Sequence, residues 1–118
     1  MLGSGAMTNS IEDVTRKAEV IMLVGSNPEE AHPVIGMQIR AAVERGCRLI
    51  AVDPRDIGLA AHADIHLKLR PGTNVAFANG IVNYLIQHEL YDEDFVRERT
   101  EGFEILAATC LLYTSQSP

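Results

Sequence analysis

The stretch Glu19-Val-Ile-Met-Leu-Val-Gly25-Ser-Asn-Pro28 decides how the rest of the chain is interpreted. Its apolar run, Val20–Val24, predicts a strand of a parallel sheet that is covered on both faces. The run ends at Gly25, and Asn27 and Pro28 are residue types that begin helices, as N-cap and first helical residue. A strand that leads directly into a helix is typical of open α/β sheets, whose ligands bind where the strands end.

The downstream sequence predicts two more strands of the same parallel sheet. They run from Arg48 to Asp53 and from Ile65 to Leu69, and the second alternates apolar and polar residues, which favours a place near an edge. The predicted helices are a short one capped by Ser10, one from Asn27 to Gly46, a short turn from Asp56 to Ala61, one from Val75 to His88 and one capped by Asp92. The order β-α-β-β-α-α predicts an α/β fold with a partial, three-stranded, Rossmann-like parallel sheet of the dinucleotide-binding type.

Two of these helices carry apolar stripes that predict their buried faces. The stripe of the first is Ile35, Ile39, Ala42 and Val43, and that of the second is Phe77, Ala78, Ile81, Val82, Leu85 and Ile86.

Composition excludes several classes of function. The chain has 118 residues and a net charge of −6 without a basic cluster, which argues against a nucleic acid or an anionic membrane as partner. No apolar run reaches the length of a membrane span, and the first residues do not resemble a signal peptide. Cys47 and Cys110 fit no CxxC pattern, and Cys47 is interpreted as a small buried hydrophobe. A reducing, cytoplasmic location is therefore expected.

Three strand ends share turn-forming and polar residues: Gly25-Ser-Asn-Pro28, Asp53-Pro-Arg55 and Pro71-Gly-Thr-Asn74. In a parallel sheet they lie on one edge, where glycines allow a ligand close to the backbone and helix N-termini offer free N–H groups to a phosphate. Arg55 can pair with a phosphate or contact a base, and Asp53 lies where nucleotide folds often place a carboxylate. Together these features indicate a dinucleotide-type ligand.

Each of these features has a simpler interpretation when it is taken alone. The glycines can be turn residues only, Asp53 can cap the turn that follows it, and Arg55 can be a solvated surface charge. Glu29 and Glu30 repel phosphate from the first helix end, so Ser26 and Asn27 can instead contact the sugar or the base.

The sequence offers no candidate catalytic residue and no candidate metal ligand. It contains neither G-x-G-x-x-G nor G-x-x-x-x-G-K-S/T, the usual phosphate-binding fingerprints. The four histidines have no metal-ligand spacing, and only His32 is expected near the candidate site.

The end of the chain differs from the rest. Residues 110–115, Cys-Leu-Leu-Tyr-Thr-Ser, back-translate to a widely used transposon-based sequencing adapter. The native domain is therefore expected to comprise residues 1–109, and residues 110–118 are interpreted as a non-native tail, with an ordinary unstructured C-terminus as the alternative.

At its motifs the sequence resembles the molybdopterin oxidoreductase family, and within it the catalytic alpha subunits of molybdenum- or tungsten-dependent formate dehydrogenases. The residues that carry the resemblance are Gly3-Ser-Gly-Ala-Met-Thr-Asn9, Val24-Gly-Ser-Asn-Pro-Glu-Glu-Ala-His-Pro33, Val52-Asp-Pro-Arg55, Ala63-Asp64, Leu69-Arg-Pro-Gly-Thr-Asn74 and Arg99-Thr-Glu-Gly-Phe103.

The resemblance implies that this region belongs to an α/β domain of a larger protein that holds one of two molybdopterin guanine dinucleotides. The positions implied to bind it are Gly25, Ser26, Asn27, Pro28, Asp53, Arg55, Gly72, Thr73 and Asn74. The family's Cys or selenocysteine ligand and its 4Fe-4S cluster ligands have no counterpart here, so the chain is expected to be an internal fragment, inactive alone. The implied partners are the remainder of the catalytic subunit and electron-transfer subunits, with formate as substrate.

Two alternatives remain open within this resemblance. The parent protein can be another molybdopterin enzyme, such as a nitrate reductase-like protein. It can also be a structural homologue without a cofactor, like the large peripheral-arm subunit of NADH dehydrogenase, although the Asp53, Arg55, Gly72 and Asn74 set argues against a decayed site.

Overall fold

A computed structural model describes residues 9–114, which fall into two units, one that ends at Arg70 and one that begins at Pro71. The predicted loop at residues 3–9 lies outside the described residues except for Asn9, and so do residues 115–118 of the predicted tail.

The first unit contains the sheet. Its elements in chain order are α1 (Ile11–Lys17), β1 (Val20–Val24), α2 (Pro28–Ala31), α3 (Pro33–Glu44), β2 (Arg48–Val52), a 3-10 helix (Gly58–His62) and β3 (Ile65–Leu67).

The strands form a three-stranded parallel sheet, as predicted, and their order in the sheet is β1-β2-β3. Leu23 lies beside Ala51 and Ala51 beside His66, so the three strands end at one edge of the sheet. β3 is an edge strand, as its alternating sequence predicted, but it ends at Leu67 rather than Leu69. This topology brings the segments after β1 and β2 next to each other.

One face of the sheet carries the core of this unit. Ile21 and Leu49 pack there with Ile39 and Ala42 of α3 and with Leu59 of the 3-10 helix. The opposite face is open at β1, where Val20, Met22 and Val24 are 54%, 42% and 50% exposed. The prediction that β1 is covered on both faces is therefore wrong for the described residues, because α3 and the 3-10 helix pack on the same side.

The predicted single helix from Asn27 to Gly46 is two helices. His32 has φ −145° and ψ 72°, which is not helical, and α3 begins at Pro33. The break follows from Pro33, because a proline has no N–H for a helical hydrogen bond and keeps the preceding residue out of the α region. Pro28 does begin a helix at its first position, as predicted.

The end of α3 follows the predicted glycine stop. Gly46 has φ +102°, its N–H donates to the Val43 carbonyl oxygen (2.9 Å), and the Cys47 N–H donates to the Ala42 carbonyl oxygen (3.1 Å). These two bonds form a Schellman motif, which returns the chain directly into β2.

The second unit is helical. It contains α4 (Asn74–Gln87), α5 (Glu93–Arg99) and α6 (Phe103–Thr114), and α4 packs against α6. Asp92 caps α5 as predicted, since its Oδ1 accepts the Phe95 N–H at 2.9 Å. The predicted buried face of α4 is only partly right, because Ala78, Ile81 and Leu85 are exposed.

α6 was not predicted, and it continues into the segment interpreted as a non-native tail. The Cys110 side chain is buried. The boundary at residue 109 stays a prediction.

Candidate functional site

The segments that follow β1 and β2 are joined by a backbone hydrogen bond. The Gly25 N–H donates to the Val52 carbonyl oxygen at 2.8 Å, so the chain leaves both strands at the same place. Gly25 has φ +57°, in the left-handed region, and no atom lies within 4 Å of the position where a Cβ would stand. We call residues 25–28 the β1 loop and residues 53–55 the β2 loop.

The β2 loop is held by Asp53, whose side chain is buried although it is charged. Asp53 Oδ1 accepts the backbone N–H of Arg55 at 2.8 Å and its Nε at 3.2 Å, and Oδ2 accepts from Nη2 at 3.4 Å. The Arg55 guanidinium holds the pKa of the Asp53 carboxyl below its usual range, and the backbone hydrogen bond from Arg55 acts in the same direction. The loop is therefore fixed around an ionised carboxylate.

Arg55 is oriented by this contact but its side chain is still 64% exposed. The hydrogen bond to Asp53 raises the pKa of Arg55, and the nearby charge of Glu30 contributes in the same sense. A guanidinium has five N–H donors, so its contacts with Asp53 leave donors that can bind a phosphate or a base. The arrangement suits recognition of an anion or a polar base edge.

Two contacts near the β2 loop were not predicted from the sequence, one to Asp53 and one to Asp56. His66 Nε2 lies 3.0 Å from the Asp53 carbonyl oxygen, and Lys68 pairs with Asp56 at 2.6 Å. The expectation that only His32 lies near the site is therefore wrong. The signal that could have found His66 is the register of β3, which places it beside the last residues of β2. Lys68 also lowers the pKa of Asp56 through a hydrogen bond.

The β1 loop holds a buried amide oxygen that lacks a donor. Asn27 stands at the N-cap position of α2, and its backbone carbonyl accepts the N–H groups of Glu30 (3.2 Å) and Ala31 (3.1 Å). Its side chain makes no cap hydrogen bond, contrary to the prediction, and within residues 9–114 no donor reaches the buried Oδ1 atom. A buried acceptor of this kind needs an explanation, and a ligand donor supplies one.

The remaining candidates of the β1 loop flank Asn27: Ser26 is exposed and Pro28 is buried at the first position of α2. Glu29 and Glu30 lie in the first turn of α2, and the Glu29 carboxylate lies 3.8 Å from Arg40 Nη1, which offsets part of its charge. The repulsion of phosphate by these two residues stays a prediction.

The third set of candidates, Gly72, Thr73 and Asn74, belongs to the second unit. Gly72 has φ +88° with open space beside it, and Thr73 is the N-cap residue of α4. The Thr73 carbonyl accepts the Phe77 N–H at 2.9 Å. The structure thus brings the β1 and β2 loops together and places the third set at the start of a long helix in its own unit.

The described residues fit a nucleotide better than a metal ion. They include an amide acceptor without a donor and a pre-oriented guanidinium, which suit the donors and the phosphate of a nucleotide. Within the described part of the chain, no group of three or more His, Cys, Asp or Glu side chains could hold a metal ion. None of the helices in residues 9–114 is long and apolar enough to cross a membrane.

Comparison with known proteins agrees with the resemblance. Residues 2–112 match the model of the family described as molybdopterin oxidoreductase. The F420-dependent formate dehydrogenase subunit alpha of Methanocaldococcus jannaschii is 46% identical over 114 residues, which is 97% of this chain and 17% of that protein. Formate dehydrogenase H of Escherichia coli is 36% identical over 98% of this chain and 16% of its own length.

A nitrate reductase and an acetylene hydratase are also similar to this chain. The catalytic subunit of the assimilatory nitrate reductase of Bacillus subtilis is 43% identical over 85% of this chain and 14% of its own length. Acetylene hydratase from Pelobacter acetylenicus has the same fold over 87% of this chain and 16% of that chain, with a TM-score of 0.73 and 34% identity.

The chain spans about a sixth of the length of these relatives. Over that part its sequence is similar to theirs, and its fold is similar to that of the acetylene hydratase. On these findings the chain belongs to the molybdopterin oxidoreductase family, with formate dehydrogenase alpha subunits among its relatives.

Proposed function

We propose that this chain is the part of a formate dehydrogenase alpha subunit that holds one molybdopterin guanine dinucleotide. Family membership implies a molybdopterin cofactor that carries a metal. The observation that supports the guanine dinucleotide form of the cofactor is the pair of adjacent loops. One loop has a buried amide acceptor without a donor, at Asn27, and the other has a pre-oriented guanidinium, at Arg55. The parallel sheet beneath them is then a partial Rossmann-like, dinucleotide-binding sheet.

The roles of the residues follow from their chemistry. The Asn27 amide oxygen accepts a hydrogen bond from the base or the ribose, and Gly25 leaves room for the ligand beside the backbone. Arg55, held by Asp53, binds a phosphate or the base edge. In the second unit, the backbone N–H groups at the start of α4 supply donors for a phosphate, with Gly72, Thr73 and Asn74 forming the turn.

The chain's own residues bind and orient the cofactor and do not carry out the reaction. When bound, the cofactor supplies the molybdenum or tungsten centre, where formate loses two electrons to give carbon dioxide and a proton. The remainder of the subunit supplies the metal ligand and a 4Fe-4S cluster, and partner subunits accept the electrons. The parent complex acts in the cytoplasm.

The second candidate is a nitrate reductase, because nitrate reductases of two organisms are 40–43% identical to this chain. Both candidates use the same cofactor site, so the β1 and β2 loops do not separate them. Assays of the full-length subunit with formate and with nitrate decide between the two.

The test of cofactor binding is Arg55→Ala in a full-length subunit that carries this region. We expect the occupancy of this region's guanine dinucleotide to fall about tenfold because Arg55 is a direct ligand contact, so the guanine nucleotide released by acid should fall from two towards one per purified subunit. The fold should stay intact, since the Arg55 side chain is mostly exposed. The control is Arg16→Ala, which removes an exposed charge from α1 and should change nothing. Normal nucleotide and metal content in Arg55→Ala would refute the proposal.

A further inference from the structure

Two glycines of the first unit make room for Glu29, the second residue of α2. A Cβ atom at Gly36 would lie only 2.9 Å from Glu29 Cα and 3.0 Å from its backbone N. A Cβ atom at Gly58 would clash with the Glu29 carboxylate and would lie 3.1 Å from its Cδ. The backbone of Glu29 therefore rests on α3, and its side chain rests on the 3-10 helix.

Backbone conformation does not explain these two glycines. Gly25, Gly46 and Gly72 have positive φ angles, where glycine is favoured, but Gly36 and Gly58 do not. Gly36 also lies inside a helix, where alanine is the better helix former. The feature that both positions share is contact with Glu29.

The charge of Glu29 is balanced on the same side. Arg40 Nη1 lies 3.8 Å from Glu29 Oε1, and Arg40 Nη2 in turn contacts His62 Nε2. Arg40 belongs to α3, and His62 ends the 3-10 helix that begins with Gly58. The ion pair and the glycine contacts therefore draw Glu29 toward the same two elements.

Glu29 thereby joins the two loops of the candidate site. It stands two residues after Asn27, while Gly58 stands three residues after Arg55. The Ile57 N–H, next to Gly58, donates to the Arg55 carbonyl oxygen at 3.1 Å, which ties the 3-10 helix to the β2 loop. A shift of Glu29 relative to Gly58 would thus move one loop against the other.

We propose that Glu29 is a positioning residue for the nucleotide. Its side chain, seated on Gly58 with Arg40 as counter-charge, holds the β1 loop against the β2 loop so that Asn27 and Arg55 serve one ligand. This inference rests on the proposed function for the identity of the ligand. The contact by which Glu29 holds the two loops together, which we call the clamp, is a property of the chain itself.

The test is a double-mutant cycle in the full-length subunit. Glu29→Ala removes the side chain, and Gly58→Ala displaces it from its seat. Each change should lower the occupancy of this region's guanine dinucleotide about tenfold, counted as the nucleotide per subunit above the one that the second site holds, as the loss of a residue that orients a ligand contact does. In the double variant the loss should be no larger than in either single one, because Gly58→Ala has nothing left to displace. Glu44→Ala, an exposed acidic residue of α3, is the matched control and should behave as wild type.

A second readout separates positioning from support of the fold. In the subunit stripped of cofactor, Glu29→Ala should speed hydrogen exchange at the amides of Gly25, Ser26 and Asn27 while the exchange of β2 stays unchanged. Unchanged exchange in this loop, faster exchange throughout the first unit, or additive losses in the cycle would each overturn the inference. Wild-type subunit without guanine nucleotide would instead overturn the proposed function, and the exchange result would still decide whether the clamp exists.

Discussion

The β1 loop and the β2 loop lie side by side but differ in whether the chain satisfies their polar groups. In the β2 loop, the buried Asp53 carboxylate accepts hydrogen bonds from the backbone and side chain of Arg55. In the β1 loop, no donor from the described residues reaches the buried Oδ1 of Asn27. An unpaired buried acceptor costs free energy until a donor arrives. The β2 loop is therefore held by its own contacts, whereas the β1 loop has a buried acceptor that the proposed ligand would satisfy.

The substitution with the largest expected effect on cofactor binding is Asp53→Ala, in the β2 loop. It removes the acceptor around which the β2 loop is built, so Arg55 loses its orientation and the loop loses its shape. We expect the occupancy of this region's guanine dinucleotide in the full-length subunit to fall about a hundredfold, at the upper end of the range for residues that orient ligand contacts, which leaves only the nucleotide of the second site. The apo protein should also melt at a lower temperature.

The matched control is Asp94→Ala, which removes the partner of an exposed arginine, Arg97, in α5. This ion pair lies on the surface, where such pairs contribute little. An Asp53→Ala subunit with normal nucleotide content would show that the β2 loop needs no preformed carboxylate.

Asn27→Leu, in the β1 loop, should affect the stability of the cofactor-free protein in the opposite direction to Asp53→Ala, in the β2 loop. Leucine has nearly the shape of asparagine without the unpaired oxygen, so the cofactor-free protein should unfold with unchanged or slightly higher free energy, by up to about 1 kcal/mol. The occupancy of this region's guanine dinucleotide should nevertheless fall about tenfold, since a contact with the ligand is lost. Denaturant unfolding of cofactor-free protein measures the first quantity. If Asn27→Leu destabilised the cofactor-free protein as Asp53→Ala is expected to, the Asn27 side chain would already be satisfied without a ligand, contrary to our proposal.

The smallest expected effect is the pH dependence of the contribution that Asp53 makes to the free energy of unfolding. The folded pKa of Asp53 lies below its ordinary value of 3.8, so the stabilisation is present above that value and is lost as the pH falls through the folded pKa. The difference in unfolding free energy between wild type and Asp53→Asn should therefore be constant near neutral pH and shrink below about pH 4. A difference that grew on acidification would contradict the ionised carboxylate.

Local signals allowed much of the fold to be predicted. Ser10 caps α1, where its Oγ accepts the Asp13 N–H at 3.1 Å, and Gly46 ends α3. The three parallel strands follow from apolar runs punctuated by turn residues. The break at Pro33 was open to prediction from the proline alone, because the residue before a proline avoids the helical region.

The other differences between prediction and structure concern contacts between residues distant in sequence. The seat of Glu29 on Gly58 and the approach of His66 to Asp53 depend on how α2, the 3-10 helix and β3 pack, which no local pattern encodes. The open face of β1 was missed for the same reason, since an apolar strand has the same sequence whether one or both faces are covered. The candidate residues were found by spacing and resemblance, but their division into a preformed and an incomplete loop required the structure.

The most direct test of the central claim is a structure of the metal-loaded, full-length subunit that carries this region. The account predicts a donor of the bound guanine nucleotide about 3 Å from Asn27 Oδ1, with the Asp53–Arg55 contacts unchanged from those described above. A nucleotide bound elsewhere, with Asn27 Oδ1 still without a donor, would contradict the account.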